Sequence, residues 1–352
     1  MGEKAKYIYG IMGQSLISSP GANVIEASSI ANQGISTISF QDITAVISNS
    51  EIVDLMHMRK EVLARILLKH QEVIEKIMAF GNSIIPMRLG TYARDETDVK
   101  DILSKGYSLI KDIIKKISEK IEMDVVVTWS DFSGILREIG EDEEIKKCKS
   151  KLLAKSNGIT TDEKIKIGIM LKKALEEKRG RLAPEIQTSL SRASVDTKRH
   201  ELMDDKMVAN LAFLINKTQQ EEFDRKVEDL NIKFAERLNF RCVGPLPPYS
   251  FYTLEIKRIE FEDLCRATRK LGLNYAANKD DIKKAYQRSA SLKHPDKNPA
   301  TPGMEKEFNE INEAYKALIN YCEACKLAGK TGQYFFDEEE YKKNAVLIKV
   351  RE

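Results

Sequence analysis

Lys293-His294-Pro295-Asp296-Lys297-Asn298-Pro299 divides two segments of helical period. Upstream, Ile282, Ala285, Tyr286, Ser289 and Leu292 or Lys293 share one face, while Lys283, Lys284, Arg288 and Lys293 fall mainly off it. Downstream, Phe308, Ile311, Tyr315 and Leu318 supply a facing stripe. Asn278-Lys279-Asp280-Asp281 is a capping start, with carboxylates in the first turn where the helix dipole favours them. Pro295 ends the first helix because it has no amide to donate. The pattern predicts an antiparallel helical hairpin with His294-Pro295-Asp296 in its loop and a basic stripe beside it. Taken alone, His-Pro-Asp is a common surface turn; the capped basic helix before it and the matched helix after it make the loop a functional candidate.

Beyond the hairpin, Ala345-Val346-Leu347-Ile348-Lys349-Val350 is too apolar for a solvated coil and predicts a strand. That strand is expected to join the sheet containing residues 249–256, which would make the hairpin region an insertion rather than an appendage. Towards the N-terminus, Tyr7 to Met12, Ile35 to Phe40 and Ile43 to Ser48 read as strands, the last two joined through Gln41-Asp42. Glu51 to Ala79 reads as one long amphipathic helix, Ile84 to Leu89 as a short strand that Pro86 places at an edge or a strand start, and Glu96 to Lys120 as a helix capped by Asp95. Met123 to Trp129 reads as a strand buried on both faces.

Asp131 to Asp205 is helical and highly charged, with breaks expected at Ser156-Asn157-Gly158 and at Arg179-Gly180-Arg181. A strand over Val208 to Ile215, a helix over Gln219 to Leu238, and strands over Phe240 to Val243 and Tyr249 to Ile256 complete a split β-α-β pattern. The fold class is α+β. We expect an N-terminal α+β domain over 1–121, a ferredoxin-like domain over 122–258 with a helical insertion at about 141–205, a small all-α domain over 259–330, and a tail with a strand over 331–352.

Composition narrows the function. Hydrophobic residues at 42% and charged residues at 32% give an ordinary core under a solvated surface. With 57 basic and 54 acidic residues and a net charge of +3, no global field draws the chain to nucleic acid or to a membrane. Cys148, Cys242, Cys265, Cys322 and Cys325 are odd in number and scattered, as expected of reduced thiols in a cytoplasm. The run Tyr7 to Ile25 is too interrupted by glycine and polar residues to be a signal or a membrane span. Cys322-x-x-Cys325 lacks a second ligand pair for zinc, and His57, His70 and His200 lie isolated on helical segments, read as partly buried surface histidines. No metal site, cofactor or catalytic residue is expected.

The hairpin resembles the J domain of the DnaJ family. Asn309-Glu310-Ile311-Asn312-Glu313-Ala314-Tyr315 is similar to that family's third helix, and Leu271-Gly272-Leu273 to the end of its first, although Thr268-Arg269-Lys270 replaces the usual tyrosine pair. The resemblance implies docking on a DnaK-type chaperone through Lys283, Lys284, Arg288 and Lys293, with stimulation of its ATPase by His294, Pro295 and Asp296.

The first two-thirds resembles the gas vesicle protein F and L family. The resemblance is carried by Tyr7-Ile8-Tyr9-Gly10-Ile11, Asp42 to Ser48, His70 to Glu75, Ile85 to Thr91, and above all Gly244-Pro245-Leu246-Pro247-Pro248-Tyr249-Ser250-Phe251. Leu246 stands where that family usually has Trp. The resemblance implies an accessory protein, associated with gas vesicles, that binds the apolar shell protein and other gas vesicle proteins. Gly244, Pro245, Pro247, Pro248, Tyr249 and Phe251 are read as a rigid structural turn rather than a ligand site. The expected function is a vesicle assembly factor that recruits a chaperone; the alternative is a minor structural component whose J-like module is only a binding surface.

Overall fold

Strand β1 (Lys4–Gly13) is apolar or aromatic over most of its length because both its faces are covered. The computed structural model describes residues 4–13, 34–153, 160–293 and 304–351. They form two units, Met1–Ser118 with Tyr252–Glu352, and Glu119–Phe251. In the first, β1 pairs antiparallel with β3 (Ile43–Glu51), which pairs with β2 (Ile35–Phe40) through a turn at Gln41 and Asp42. The short strands β4 (Ile84–Pro86) and β5 (Tyr92–Ala93) complete the sheet, with Pro86 on a terminal strand where its missing amide is harmless.

A register shift in β1 between Ile8 and Gly10 sets Ile8 and Ile11 into one core with Ile43, Ala45 and Ile47. At Gly10 a Cβ would lie 2.6 Å from Ile84 Cδ1 and 2.8 Å from the Ile85 carbonyl, so the crossing of β1 and β4 requires glycine. Helix α1 (Lys60–Ala79) packs His70, Val73, Ile74 and Ile77, and helix α2 (Glu96–Ile117), capped by Asp95 as predicted, packs Val99, Ile102, Leu103, Ile110 and Ile113. The expected helix start at Glu51 is corrected. β3 continues to Glu51, Asp54 accepts a hydrogen bond from the Met56 amide to close one turn of 3₁₀ helix, and Arg59 is extended before α1 begins.

The second unit is a four-stranded antiparallel sheet of β6 (Lys120–Trp129), then α3 (Phe132–Gly140), α4 (Glu143–Leu153) and α5 (Thr161–Ser191), β7 (Asp196–Arg199), β8 (Met207–Asn216), α6 (Gln220–Lys233) and β9 (Leu238–Leu246). The order β7-β8-β6-β9 places the unit's strands second-third-first-fourth, the split β-α-β arrangement of a ferredoxin-like fold. Its second strand, β7, is one the sequence reading missed: Asp196-Thr197-Lys198-Arg199 is a polar, half-exposed edge. The expected break at Arg179-Gly180-Arg181 is absent. α5 runs through it because Arg179 donates to the carbonyls of Met207 and Asp205, anchoring that turn to the sheet unit. The break expected at Ser156-Asn157-Gly158 lies outside the described residues.

The expected strand over Tyr249 to Ile256 is instead a helical turn, α7 (Tyr249–Tyr252), followed by β10 (Leu254–Arg258). In the first unit β10 lies beside Met87 and Arg88 and pairs antiparallel with the last strand, β13 (Val346–Val350), which was expected to pair near this place. Between them lie α8 (Phe261–Lys270), β11 (Ala276–Ala277), α9 (Lys279–Lys293), α10 (Met304–Leu327), β12 (Tyr334–Phe335) and α11 (Glu338–Asn344). β13 serves two cores. Val346 and Ile348 pack with Ile102, Leu103 and Ile110, whereas Leu347 packs with Leu264, Ile282, Leu318 and Tyr321. An ion pair between buried Asp98 and the more exposed Arg258 reinforces the join: Arg258 donates to both oxygens of Asp98, at 3.2 and 2.5 Å. Burial would raise the Asp98 carboxyl, but the Arg94 amide and the Arg258 guanidinium hold it below its ordinary value.

Candidate functional site

The α9–α10 hairpin is antiparallel as the sequence pattern predicts. Lys279 pairs with Glu323, Tyr286 stacks on Tyr315 with centroids 4.4 Å apart, and Lys293 pairs with Glu307 at 2.8 Å, so successive contacts run in opposite directions along the two helices. Tyr286 also donates to Asn312 Oδ1 at 2.8 Å. The core face of α9 is Ile282 and Ala285, as read from the periodicity, but it does not reach the helix end: Leu292, expected on the same face, is 72% exposed. Lys283, Lys284 and Arg288 are exposed, and among the described residues none of the three forms an ion pair. Lys284 and Arg288 stand one turn apart along a shallow groove with Leu292, Gln287 and the loop residues Gly272 and Leu273. Lys293 differs from these three, being half-buried and engaged by Glu307, whose carboxyl the ammonium holds below its ordinary range. His294, Pro295 and Asp296 lie outside the described residues, within the segment 294–303 that joins the two helices.

Cys322 and Cys325 are buried in the α10 core, and burial raises both thiols, Cys322 to about 12. Protonated thiols there pack as small apolar groups. Among the described residues there is no cluster that could hold a metal ion, and no helix long and apolar enough to cross a membrane.

The motif Gly244 to Phe251 ends β9 and forms α7. At Gly244 a Cβ would meet Met123 Sδ at 2.4 Å and the Glu122 carbonyl at 3.0 Å, so glycine permits the close approach to β6. Pro247, Pro248 and Phe251 are buried, and the Tyr249 amide donates to the Pro247 carbonyl at 2.6 Å. The turn is fixed by a residue the sequence reading did not single out. Glu122, only 1% exposed, accepts from the Ser250 amide at 2.8 Å and the Ser250 hydroxyl at 2.6 Å. Burial first, and neighbouring Asp124 second, push the Glu122 carboxyl up to about 8, against the Ser250 hydrogen bonds that lower it. His200 Nε2 lies 3.0 Å from Ser250 Oγ, so this histidine is not isolated. Neither are the other two. His57 pairs with Asp54, and His70 is fully buried with Nδ1 2.8 Å from the Tyr7 hydroxyl; desolvation drives its imidazole down to about 4. The sequence signal for Glu122 was a carboxylate two residues before Asp124 in a strand that is apolar from Val125 to Val127, and its partner is 128 residues away.

Residues 5–253 match the family described as gas vesicle synthesis protein GvpL/GvpF, and residues 269–322 match the DnaJ domain. Gas vesicle protein F of Microcystis aeruginosa is 22% identical over 251 residues, covering 70% of this chain and 98% of that protein. The crystal structure of GvpF from Anabaena sp. PCC7120 superposes with a TM-score of 0.55 at 20% identity, covering 71% of this chain and 96% of that one, which shows a shared fold. The chaperone protein DnaJ of Chlorobium phaeobacteroides is 56% identical over 50 residues, which are 14% of this chain and 13% of that protein. The chain belongs to the GvpL/GvpF family of gas vesicle synthesis proteins and carries a DnaJ domain after the residues that define that family.

Proposed function

We propose that this protein is an assembly factor of gas vesicles that binds the apolar shell protein and other vesicle proteins and recruits a DnaK-type chaperone through its DnaJ domain. The observation that carries the reading is the presence of both family matches in one chain, with Lys283, Lys284 and Arg288 exposed and free of ion pairs among the described residues. A subunit destined for a water-excluding wall exposes apolar surface and strand edges before it assembles, and such surfaces aggregate unless covered. A chaperone called to the same molecule would hold those chains apart until they are placed.

In this reading Lys283, Lys284 and Arg288 meet an acidic surface of the chaperone, Lys293 supports the end of the docking helix, and His294, Pro295 and Asp296 stimulate ATP hydrolysis. Gly244, Pro245, Pro247, Pro248, Tyr249 and Phe251 act as a structural turn. The test is His294→Gln in the full chain: DnaK-type ATPase stimulation is lost while shell-protein binding is retained. If the variant stimulates as well as the parent does, the co-chaperone reading is wrong.

A further inference from the structure

Helix α5 is 31 residues long, yet its first buried side chain is Leu175. The turns before it, with α4, form a hairpin arm whose outer surface is chemically uneven. The described residues 143–153 and 160–173 hold eight lysines against four carboxylates, a net charge of +4 where the entire chain has +3. Lys146 and Lys147 are paired, with Glu141 and Glu143. Among the described residues Lys149, Lys151, Lys164, Lys166, Lys172 and Lys173 are exposed and form no ion pair.

Amid these lysines, Ile165 is 55% and Ile169 63% exposed. Four residues apart on α5, they stack on one face, with Lys172 and Lys173 on the next turn. At Gly168, between them, a Cβ would meet nothing within 4 Å, so the surface there is open. A solvated helix face gains nothing from two outward isoleucines, and both lie on a single side while Leu175 turns to the core.

We infer that the α4–α5 arm is a docking surface for an acidic amphipathic helix of a partner protein. The isoleucine pair receives an apolar i, i+4 pair of that helix, and the flanking lysines meet its carboxylates. Residues 143–173 contain no Phe, Trp or Tyr, so the arm lacks both the aromatic anchors of a membrane-surface helix and the stacking platforms of a nucleic-acid groove. The arm lies wholly within the second unit and is independent of the DnaJ domain's basic helix.

The test uses the full chain and a fluorescent synthetic helical peptide with leucines at i, i+4 and glutamates on its remaining faces. Its probes for comparison are a scrambled peptide of the same composition, duplex DNA and phosphatidylglycerol vesicles. The parent binds the amphipathic peptide more tightly than the scrambled one. The double variant Ile165→Ser, Ile169→Ser and the variant Lys164→Glu, Lys166→Glu each weaken that binding by about tenfold or more. All four positions are exposed, so circular dichroism should show unchanged folding. Equal binding of both peptides, tighter binding to DNA or vesicles, or full affinity in either variant would each overturn the assignment.

Discussion

The two sheets hide their titratable groups in opposite ways. In the first unit β1 is covered on both faces, and the buried group is a base, His70, held neutral beside Tyr7. In the second, β6 turns Val125 and Val127 into the core while Val126 and Thr128 stay half-exposed; the buried group is an acid, Glu122, on that more open face and sealed by the motif turn through Ser250. Desolvation favours the uncharged form in both places, which lowers the base and raises the acid. The units should therefore answer to pH with opposite sign.

The largest effect is expected where the first unit depends on its last strand. Val346, Leu347 and Ile348 are each at most 6% exposed and fill two cores. Losing such side chains costs roughly 2–4 kcal/mol apiece, comparable in sum with the whole stability of a domain. Deleting residues 346–352 should abolish hydrogen-exchange protection in both β1 and α10 while leaving β6 and β8 protected. Protection retained in α10 would mean that β13 is not shared between the two cores.

A smaller effect follows from His70. Its folded value of about 4 lies below the ordinary 6.5, so the stabilisation is complete above pH 6.5 and is lost as pH falls towards 4. The shift corresponds to a loss on the order of 3 kcal/mol across that window. His70→Gln cannot be protonated there and should flatten the acid limb, read as the urea midpoint for β1 amides at pH 7 and pH 5. An unchanged slope in the variant would break the contrast between the units at its first half.

Much of this architecture could be read from period alone: β1 to β3, α2, β6, β8 and the α9–α10 hairpin announce themselves by where their apolar residues fall. What could not be read depended on distant partners. β7 has no apolar face and exists because β8 offers an edge to it. Tyr249 to Tyr252 has strand-like composition, but Pro247, Pro248 and the Glu122 carboxyl group hold it in a helical turn. α5 crosses Gly180 because Arg179 reaches the carbonyls of Asp205 and Met207. The exposed positions of Lys283, Lys284 and Arg288 were legible from the period, whereas the pairing of Lys293 with Glu307 was not, since it requires the hairpin to be closed.

The second unit completes the pH contrast. With the Glu122 carboxyl raised from 4.5 to about 8, its contribution is fully present below pH 4.5 and declines as pH rises through 8, the reverse of His70. Around it stand Asp124, whose carboxyl burial also raises, Ser250, His200 and Cys242. Cys242 does not confuse the window, because burial followed by the nearby carboxylates lifts its thiol to about 11. Acidifying from pH 8 to pH 5 should thus raise the melting temperature of the second unit while that of the first falls. Glu122→Gln keeps an acceptor for Ser250 without a titrating proton, so exchange protection in β6 should become independent of pH between 5 and 8. A variant that keeps the parent's slope would assign the effect to Asp124 instead and leave Glu122 as a hydrogen-bond acceptor only.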